Sequence, residues 1–98
     1  MQEQTTTIQN RLGLHARPAA EFVKLAGKFQ SEVSVGKDGM WVNGKSIMGV
    51  MTLAAEFGSV VTVRAEGDDA REAIEALVGL LSRDFADEYL LESELEEE

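Results

Sequence analysis

The chain has 98 residues, of which 44% are hydrophobic and 28% are charged, with no cysteine, one proline and one histidine. This length suffices for one small domain with its own hydrophobic core, and the residue counts exclude a disulfide framework, a Cys/His zinc site and a cysteine nucleophile. The net charge of −9 is unevenly placed, because residues 84–98 hold eight acidic side chains and no basic one, whereas residues 1–83 hold ten acids and nine bases.

This charge distribution predicts a nearly neutral domain over residues 1–83, followed by an acidic tail over residues 84–98. The tail is interpreted as a solvated end, with a helical extension anchored by Phe85 and Tyr89 as the alternative. No apolar run approaches the roughly 20 residues that cross a bilayer, and the polar residues after Met1 do not resemble a secretion signal. We therefore expect a cytoplasmic protein with no membrane insertion. Because residues 1–83 are nearly neutral, the global charge says little about the surface that meets a partner; no nucleic-acid partner is expected.

Short β-type segments alternate with segments of helical periodicity along residues 1–83. In chain order, the predicted elements are a strand at 5–9, a helix with the apolar stripe Ala19, Phe22, Val23 and Ala26, strands at 32–35 and 40–42, a short helix from Ser46 to about Leu53, a strand at 60–66, and a helix with apolar residues from Ala70 to Leu81. The glycines at both ends of residues 36–39 predict a hairpin between the second and third strands. The order β-α-β-β-α-β-α indicates an α+β fold whose helices cover one face of a single sheet.

The first helix begins beside the only histidine. Pro18 fits the first helical turn because its missing N–H has no intrahelical partner there, so His15 is predicted to be the N-cap. The N–H groups of Ala16 and Arg17, the guanidinium of Arg17 and the helix dipole would form a cradle for an anion. An imidazole beside a phosphate cradle suits a covalent phosphohistidine, since phosphoryl transfer depends mainly on positioning and charge. The alternative is that His15 only caps the helix and Arg17 is a solvated charge.

Two segments resemble one known family. Residues 13–20, Gly-Leu-His-Ala-Arg-Pro-Ala-Ala, closely resemble the active-site signature of HPr, the histidine-containing phosphocarrier family of the bacterial phosphotransferase system. Residues 45–53, Lys-Ser-Ile-Met-Gly-Val-Met-Thr-Leu, resemble the serine block of that family, at the usual separation. The resemblance covers roughly residues 3–83 and implies an open-faced β-sandwich, in which three helices cover one face of a four-stranded antiparallel sheet. Trp41 and the acidic tail depart from the family pattern.

The resemblance also implies a function and a site. His15 would accept a phosphoryl group from phospho-Enzyme I on Nδ1 and pass it to an Enzyme IIA protein, and Arg17 would stabilise the phosphohistidine. The protein is then expected to be a monomeric carrier, not an enzyme in its own right, with no cofactor and no metal site. Residues 10–18 look like the nitrogen-related regulatory carriers, whereas residues 46–51 look like carriers regulated by serine phosphorylation, so sugar uptake and a regulatory relay both remain open.

Ser46 is expected to cap the short helix and to be a regulatory phosphorylation site for an HPr kinase/phosphorylase. The apolar residues Ile47, Met48 and Met51 follow it directly. They are predicted to form an adaptable docking patch for partner proteins, with burial in the core as the alternative for each.

Residues 39–46 also match G-x-x-x-x-G-K-S, the phosphate-binding loop of nucleotide hydrolases. A strand candidate precedes this string and a helix follows it. However, residues 40–42 are predicted to be a strand themselves, residues 36–39 already supply a turn, and the chain has too few strands for the parallel sheet of such enzymes. A nucleotide-binding protein is therefore the remote alternative, and an interaction module without chemistry is the third.

Overall fold

The computed structural model describes residues 1–11 and 13–83. Its elements in chain order are β1 Gln2–Thr7, α1 Ala16–Ala26, β2 Glu32–Lys37, β3 Met40–Asn43, α2 Ile47–Thr52, β4 Val60–Glu66 and α3 Ala70–Leu81. This order confirms the predicted β-α-β-β-α-β-α sequence. In the described part of the chain, no helix combines the length and the apolar character needed to cross a membrane. The predicted acidic tail, with its alternative anchors Phe85 and Tyr89, lies outside the described residues.

The four strands form one antiparallel sheet in the order β1-β4-β2-β3. The hairpin between β2 and β3 closes through Asp38 and Gly39, both with positive φ, at 51° and 83°. Two such residues between paired strands match the right-handed twist of a hairpin. The predicted hairpin, the antiparallel sheet and the α+β class are all confirmed.

The helices cover one face of this sheet, so the core lies between the two layers. In β4, Val61, Val63 and Ala65 are buried, whereas Thr62 and Arg64 alternate with them and are partly exposed, as the strand period predicts. The helices add their predicted apolar stripes to the same core. Its buried helical side chains are Ala19, Phe22 and Ala26 of α1, Val50 of α2, and Ala70, Ala73, Ile74, Leu77 and Leu81 of α3.

The opposite face of the sheet carries a row of side-chain contacts that extends from β3 to β1. The Arg64 guanidinium lies 4.0 Å from the centre of the Trp41 ring. Its Nε also donates a hydrogen bond to Oε2 of Glu3 at 3.1 Å. A Cβ on Gly36 would lie 2.8 Å from the Trp41 ring, so the lack of a side chain at this position of β2 lets the indole pack against the sheet. The unusual tryptophan thus packs against Gly36 of β2 and against the Arg64 guanidinium of β4.

The first strand differs from the prediction, which placed it at residues 5–9. The observed ladder runs from Gln2 opposite Ala65 to Thr7 opposite Val60. The residues up to Thr5 are polar and exposed, so they lack the alternation from which strands are predicted. Backbone hydrogen bonds to β4 hold these residues in the sheet, and such bonds form whatever the pattern of side chains. Ile8 leaves the ladder but is buried, and its N–H donates to Ser59 O at 2.8 Å.

Candidate functional site

His15 is the N-cap of α1, as predicted. Its backbone is extended, with φ −79° and ψ −168°, and its imidazole makes no capping hydrogen bond. The first helical hydrogen bond is donated by Ala19 N–H to His15 O at 2.9 Å. The backbone of His15 therefore begins the helix while the exposed ring is not committed to it.

The loop before His15 is held by one side-chain hydrogen bond and by backbone hydrogen bonds. The buried Asn10 donates from Nδ2 to Gly13 O at 2.8 Å, and Gly13 N–H donates back to Asn10 O at 2.9 Å. Leu14 N–H then donates to Ala55 O at 2.8 Å. Gly13 has φ +71°, and a Cβ there would lie 2.7 Å from Ala55 O. Glycine is required at this position both by the left-handed backbone and by the close approach.

A shallow cavity of about 330 Å³ lies beside the imidazole and is lined by Arg11, His15, Glu56 and Phe57. The loop after α2 supplies two of these residues, and its Glu56 N–H donates to Ser59 Oγ at 3.0 Å. Phe57 is 59% exposed. Sequence reasoning missed Arg11, Glu56 and Phe57, because loop residues show no periodicity and an exposed phenylalanine cannot be told from a buried one by its letter.

The N-terminal end of α1 carries the residues predicted to hold an anion. Ala16 and Arg17 are exposed, and Pro18, which has no N–H, is buried. The first-turn N–H groups that precede the one donated by Ala19 therefore belong to Ala16 and Arg17. Partial positive charge at this end of the helix favours a bound anion, and an arginine in the same turn can add charge-assisted hydrogen bonds.

Ser46 caps α2 as the sequence predicts. Its Oγ accepts a hydrogen bond from Gly49 N–H at 3.1 Å, and its carbonyl accepts from Val50 N–H at 2.9 Å. The helix covers Ile47–Thr52 and packs beside α1. Unlike His15, Ser46 uses its side chain as well as its backbone to begin a helix.

The three apolar residues predicted to dock partners are all on the surface. Ile47 is 45% exposed, Met48 80% and Met51 41%. Val50 is the buried residue of this helix. The alternative that Ile47, Met48 and Met51 belong to the core is therefore wrong, and α2 presents a soft apolar patch to solvent.

The nucleotide-loop alternative conflicts with the structure. Residues 40–43 are strand β3 and pair with β2, so their backbone cannot wrap around a phosphate. Gly44 N–H donates to Val33 O at 2.7 Å, and the Lys45 ammonium donates to Phe29 O at 2.8 Å. The lysine that would contact the phosphates thus points to a backbone carbonyl instead.

The chain is similar in sequence to known proteins. A family model described as "PTS HPr component phosphorylation site" matches residues 2–83. The phosphocarrier protein HPr of Cupriavidus necator is 48% identical over 87 residues, which cover 89% of this chain and 98% of the relative.

Solved structures are similar as well. HPr-C-His from Thermoanaerobacter tengcongensis has a TM-score of 0.80 at 57% identity, covering 83% of this chain and 91% of that one. Crh from Bacillus subtilis, described as a catabolite repression protein with a swapped dimer, has a TM-score of 0.70 at 45% identity, covering 86% and 97%.

Proposed function

The chain belongs to the HPr family of phosphocarrier proteins, and from this membership we propose that His15 accepts a phosphoryl group from phospho-Enzyme I and passes it to Enzyme IIA proteins. In the accepting step the lone pair of an imidazole nitrogen forms a bond to phosphorus while the donor's bond to phosphorus breaks. In the passing step the P–N bond breaks and the acceptor takes the phosphoryl group. The observation that carries this proposal is an exposed imidazole at the start of α1 that makes no capping hydrogen bond.

The start of α1 supplies what phosphoryl transfer requires of a carrier. The transition state is loose, so catalysis depends on holding the group and stabilising its charge more than on a general base. The backbone N–H groups of Ala16 and Arg17 and the helix dipole would hold the phosphoryl oxygens. We assign the Arg17 guanidinium to charge stabilisation of the phosphohistidine, where a planar group can donate two parallel hydrogen bonds.

Docking is assigned to the exposed apolar patch of Ile47, Met48 and Met51. A flexible thioether surface adapts to partners of different shape, which suits a carrier that must meet both a donor and an acceptor. Because α2 packs beside α1, a partner that covers this patch also approaches the helix that begins at His15. We expect the carrier to act as a monomer in the cytoplasm. Size-exclusion chromatography tests the oligomeric state, since the Crh structure described above is a swapped dimer.

Phosphorylation of Ser46 by an HPr kinase/phosphorylase is the regulatory part of the proposal. A phosphate adds roughly −1.5 to −2 charges, and at a helix start the backbone donors and the dipole stabilise it. The domain should therefore stay folded, and the effect should fall on docking. A partner that buries the neighbouring Ile47 and Met48 would have to desolvate a dianion.

A regulatory relay is the second candidate function. The observation that favours it is the similarity to Crh, which is described as a catabolite repression protein. Both functions use the same fold, so the test must ask which residue carries phosphate. A chain that accepts phosphate at His15 from Enzyme I is a carrier, whereas one phosphorylated only at Ser46 is a regulator.

The central experiment is incubation of the chain with Enzyme I and phosphoenolpyruvate, followed by intact mass measurement before and after acid treatment. We expect one added phosphate that acid removes, because a phosphoryl bond to nitrogen hydrolyses readily at low pH. The His15→Ala variant should gain none while keeping its melting temperature, since the imidazole makes no capping bond. A folded His15→Ala protein that still acquires acid-labile phosphate would contradict the proposal.

Two variants test the supporting residues. Arg17→Ala should still be phosphorylated through the helix start but should transfer phosphate more slowly, and unchanged rates in both directions would show that Arg17 takes no part. Ser46→Asp should slow phosphorylation of His15 relative to Ser46→Ala. Equal rates for the two Ser46 variants would reject the docking mechanism and leave Ser46 as a helix cap.

A further inference from the structure

A groove away from His15 lies between α1 and the end of α3. This cavity of about 240 Å³, here called the α1–α3 groove, is lined by Glu21, Lys24, Leu25, Lys28, Leu80 and Arg83. Leu25 and Leu80 are partly buried and pack against the core, so they provide apolar surface. Lys24 and Lys28 lie on its rim, and Lys28 is exposed. The groove therefore combines an apolar base with a rim of three cations and one carboxylate.

The residues that follow this groove in the chain have the complementary composition. Arg83 lines the groove and is directly followed by residues 84–98, which hold eight acidic side chains and no basic one. Two aromatic residues, Phe85 and Tyr89, lie among the first six of them. An extended chain advances about 3.3 Å per residue, so both aromatic residues are within reach of a groove that begins at Arg83.

We propose that the acidic tail, residues 84–98, docks into the α1–α3 groove of its own domain. Phe85 and Tyr89 supply apolar side chains suited to the base at Leu25 and Leu80. The acidic side chains of the tail supply charges opposite to those of Lys24 and Lys28. Direct attachment makes binding intramolecular, with an effective concentration that is about millimolar for a short linker, so individually weak contacts suffice. The inference is independent of phosphoryl transfer, because none of the groove residues is assigned to the phosphoryl site.

The absence of cysteine makes a direct test possible. A nitroxide spin label on Ser93→Cys, in the otherwise complete chain, broadens the NMR signals of amides that the tail approaches. We expect strong broadening at Lys24, Leu25 and Lys28 and none at Trp41, which lies on the outer face of the sheet. Because the attraction is electrostatic, raising the salt concentration to about 1 M, where the Debye length is about 3 Å, should restore much of the lost intensity.

Matched charge variants separate docking from the effect of a simple tether. Lys24→Gln with Lys28→Gln removes two positive charges from the groove. Lys37→Gln with Arg71→Gln removes two from outside it. The first pair should restore the signals near the groove and the second should leave them broadened. Equal broadening in both pairs, or none in the unsubstituted chain, would overturn the proposal.

A second copy of the chain is the competing occupant. Mixing the spin-labelled chain with an isotope-labelled chain that carries no nitroxide tests for it, since only contacts between molecules broaden signals in that sample. We expect no broadening there. Broadening of Lys24 and Lys28 amides in the mixture would show that the tail docks on another molecule, and intramolecular docking would be rejected.

Discussion

Substitution of Gly13 by alanine tests the contact that positions the loop before His15. The new Cβ would lie 2.7 Å from Ala55 O and 3.1 Å from the Cα of Glu56, both of them backbone atoms. Gly58→Ala is the matched control, because Gly58 also has positive φ, at +86°, but a Cβ added there would meet nothing within 4 Å. The two variants share the cost of a left-handed alanine and differ in the clash.

The expected magnitudes follow from these contacts. A left-handed alanine costs about 1–2 kcal/mol, of which about 0.4–1 kcal/mol is offset by the lower entropy of the unfolded chain. Both terms apply equally to Gly13→Ala and Gly58→Ala. Relief of the clash at Gly13 requires movement of Ala55 O, which accepts from Leu14 N–H at 2.8 Å. A buried donor left without its acceptor costs about 1–3 kcal/mol, so Gly13→Ala should be less stable than Gly58→Ala by about that amount.

Urea unfolding followed by circular dichroism measures this difference, with the free energy of unfolding taken by linear extrapolation. The rate of His15 phosphorylation provides a second readout, since displacement of the loop moves the start of α1. Gly13→Ala should be slower in this reaction than Gly58→Ala. Equal free energies of unfolding for the two variants would refute the view that the approach of Gly13 to Ala55 positions the loop.

Three further predictions concern other contacts. Ser46→Ala should lower the free energy of unfolding by about 1 kcal/mol, measured by urea unfolding, because it removes the side-chain cap of α2. The Ser31 hydroxyl and neighbouring backbone N–H groups hold the pKa of Asp69 below its ordinary value. The stabilisation that the ionised carboxylate gives to the fold is therefore complete above about pH 4 and is lost as the pH falls through the folded pKa. Melting curves recorded as the pH is lowered below about 4 should show that Asp69→Ala loses less stability than the parent protein. Arg64→Ala should change the fluorescence of Trp41, the only tryptophan, because it removes the guanidinium from the indole ring. An unchanged emission spectrum would show that the Arg64 guanidinium does not contact the Trp41 ring in solution.

Much of the fold could be predicted because local patterns and tertiary contacts agree. The strand Val60–Glu66 alternates in sequence and in burial. Ser46 is at the N-cap of α2, and Val50 is on the side of this helix that faces the core. The start of β1 could not be predicted, because Gln2 and its neighbours join the sheet through backbone hydrogen bonds that leave no mark on side-chain pattern.

Short motifs were informative only where the fold supports them. The G-x-x-x-x-G-K-S string is complete in residues 39–46. However, residues 40–43 pair with β2, so their backbone cannot surround a phosphate. The histidine segment differs, since Pro18 and the helix cap are part of its local physics and can be inferred before any tertiary contact is known. The contributions of Asn10 and Phe57 depend on how two loops approach each other, and no spacing along the chain encodes that approach.

The two proposed phosphorylation positions differ in what phosphate must replace. The Ser46 oxygen already accepts Gly49 N–H at 3.1 Å, so a phosphoserine oxygen can take over an existing hydrogen bond. The His15 ring accepts no hydrogen bond from its helix, so a phosphoryl group there would gain interactions with donors that the ring does not use. Phosphate on Ser46 should therefore change the charge of the docking patch and little else. Phosphate on His15 should stabilise the start of α1, and a higher melting temperature of phosphorylated protein at neutral pH would measure that gain.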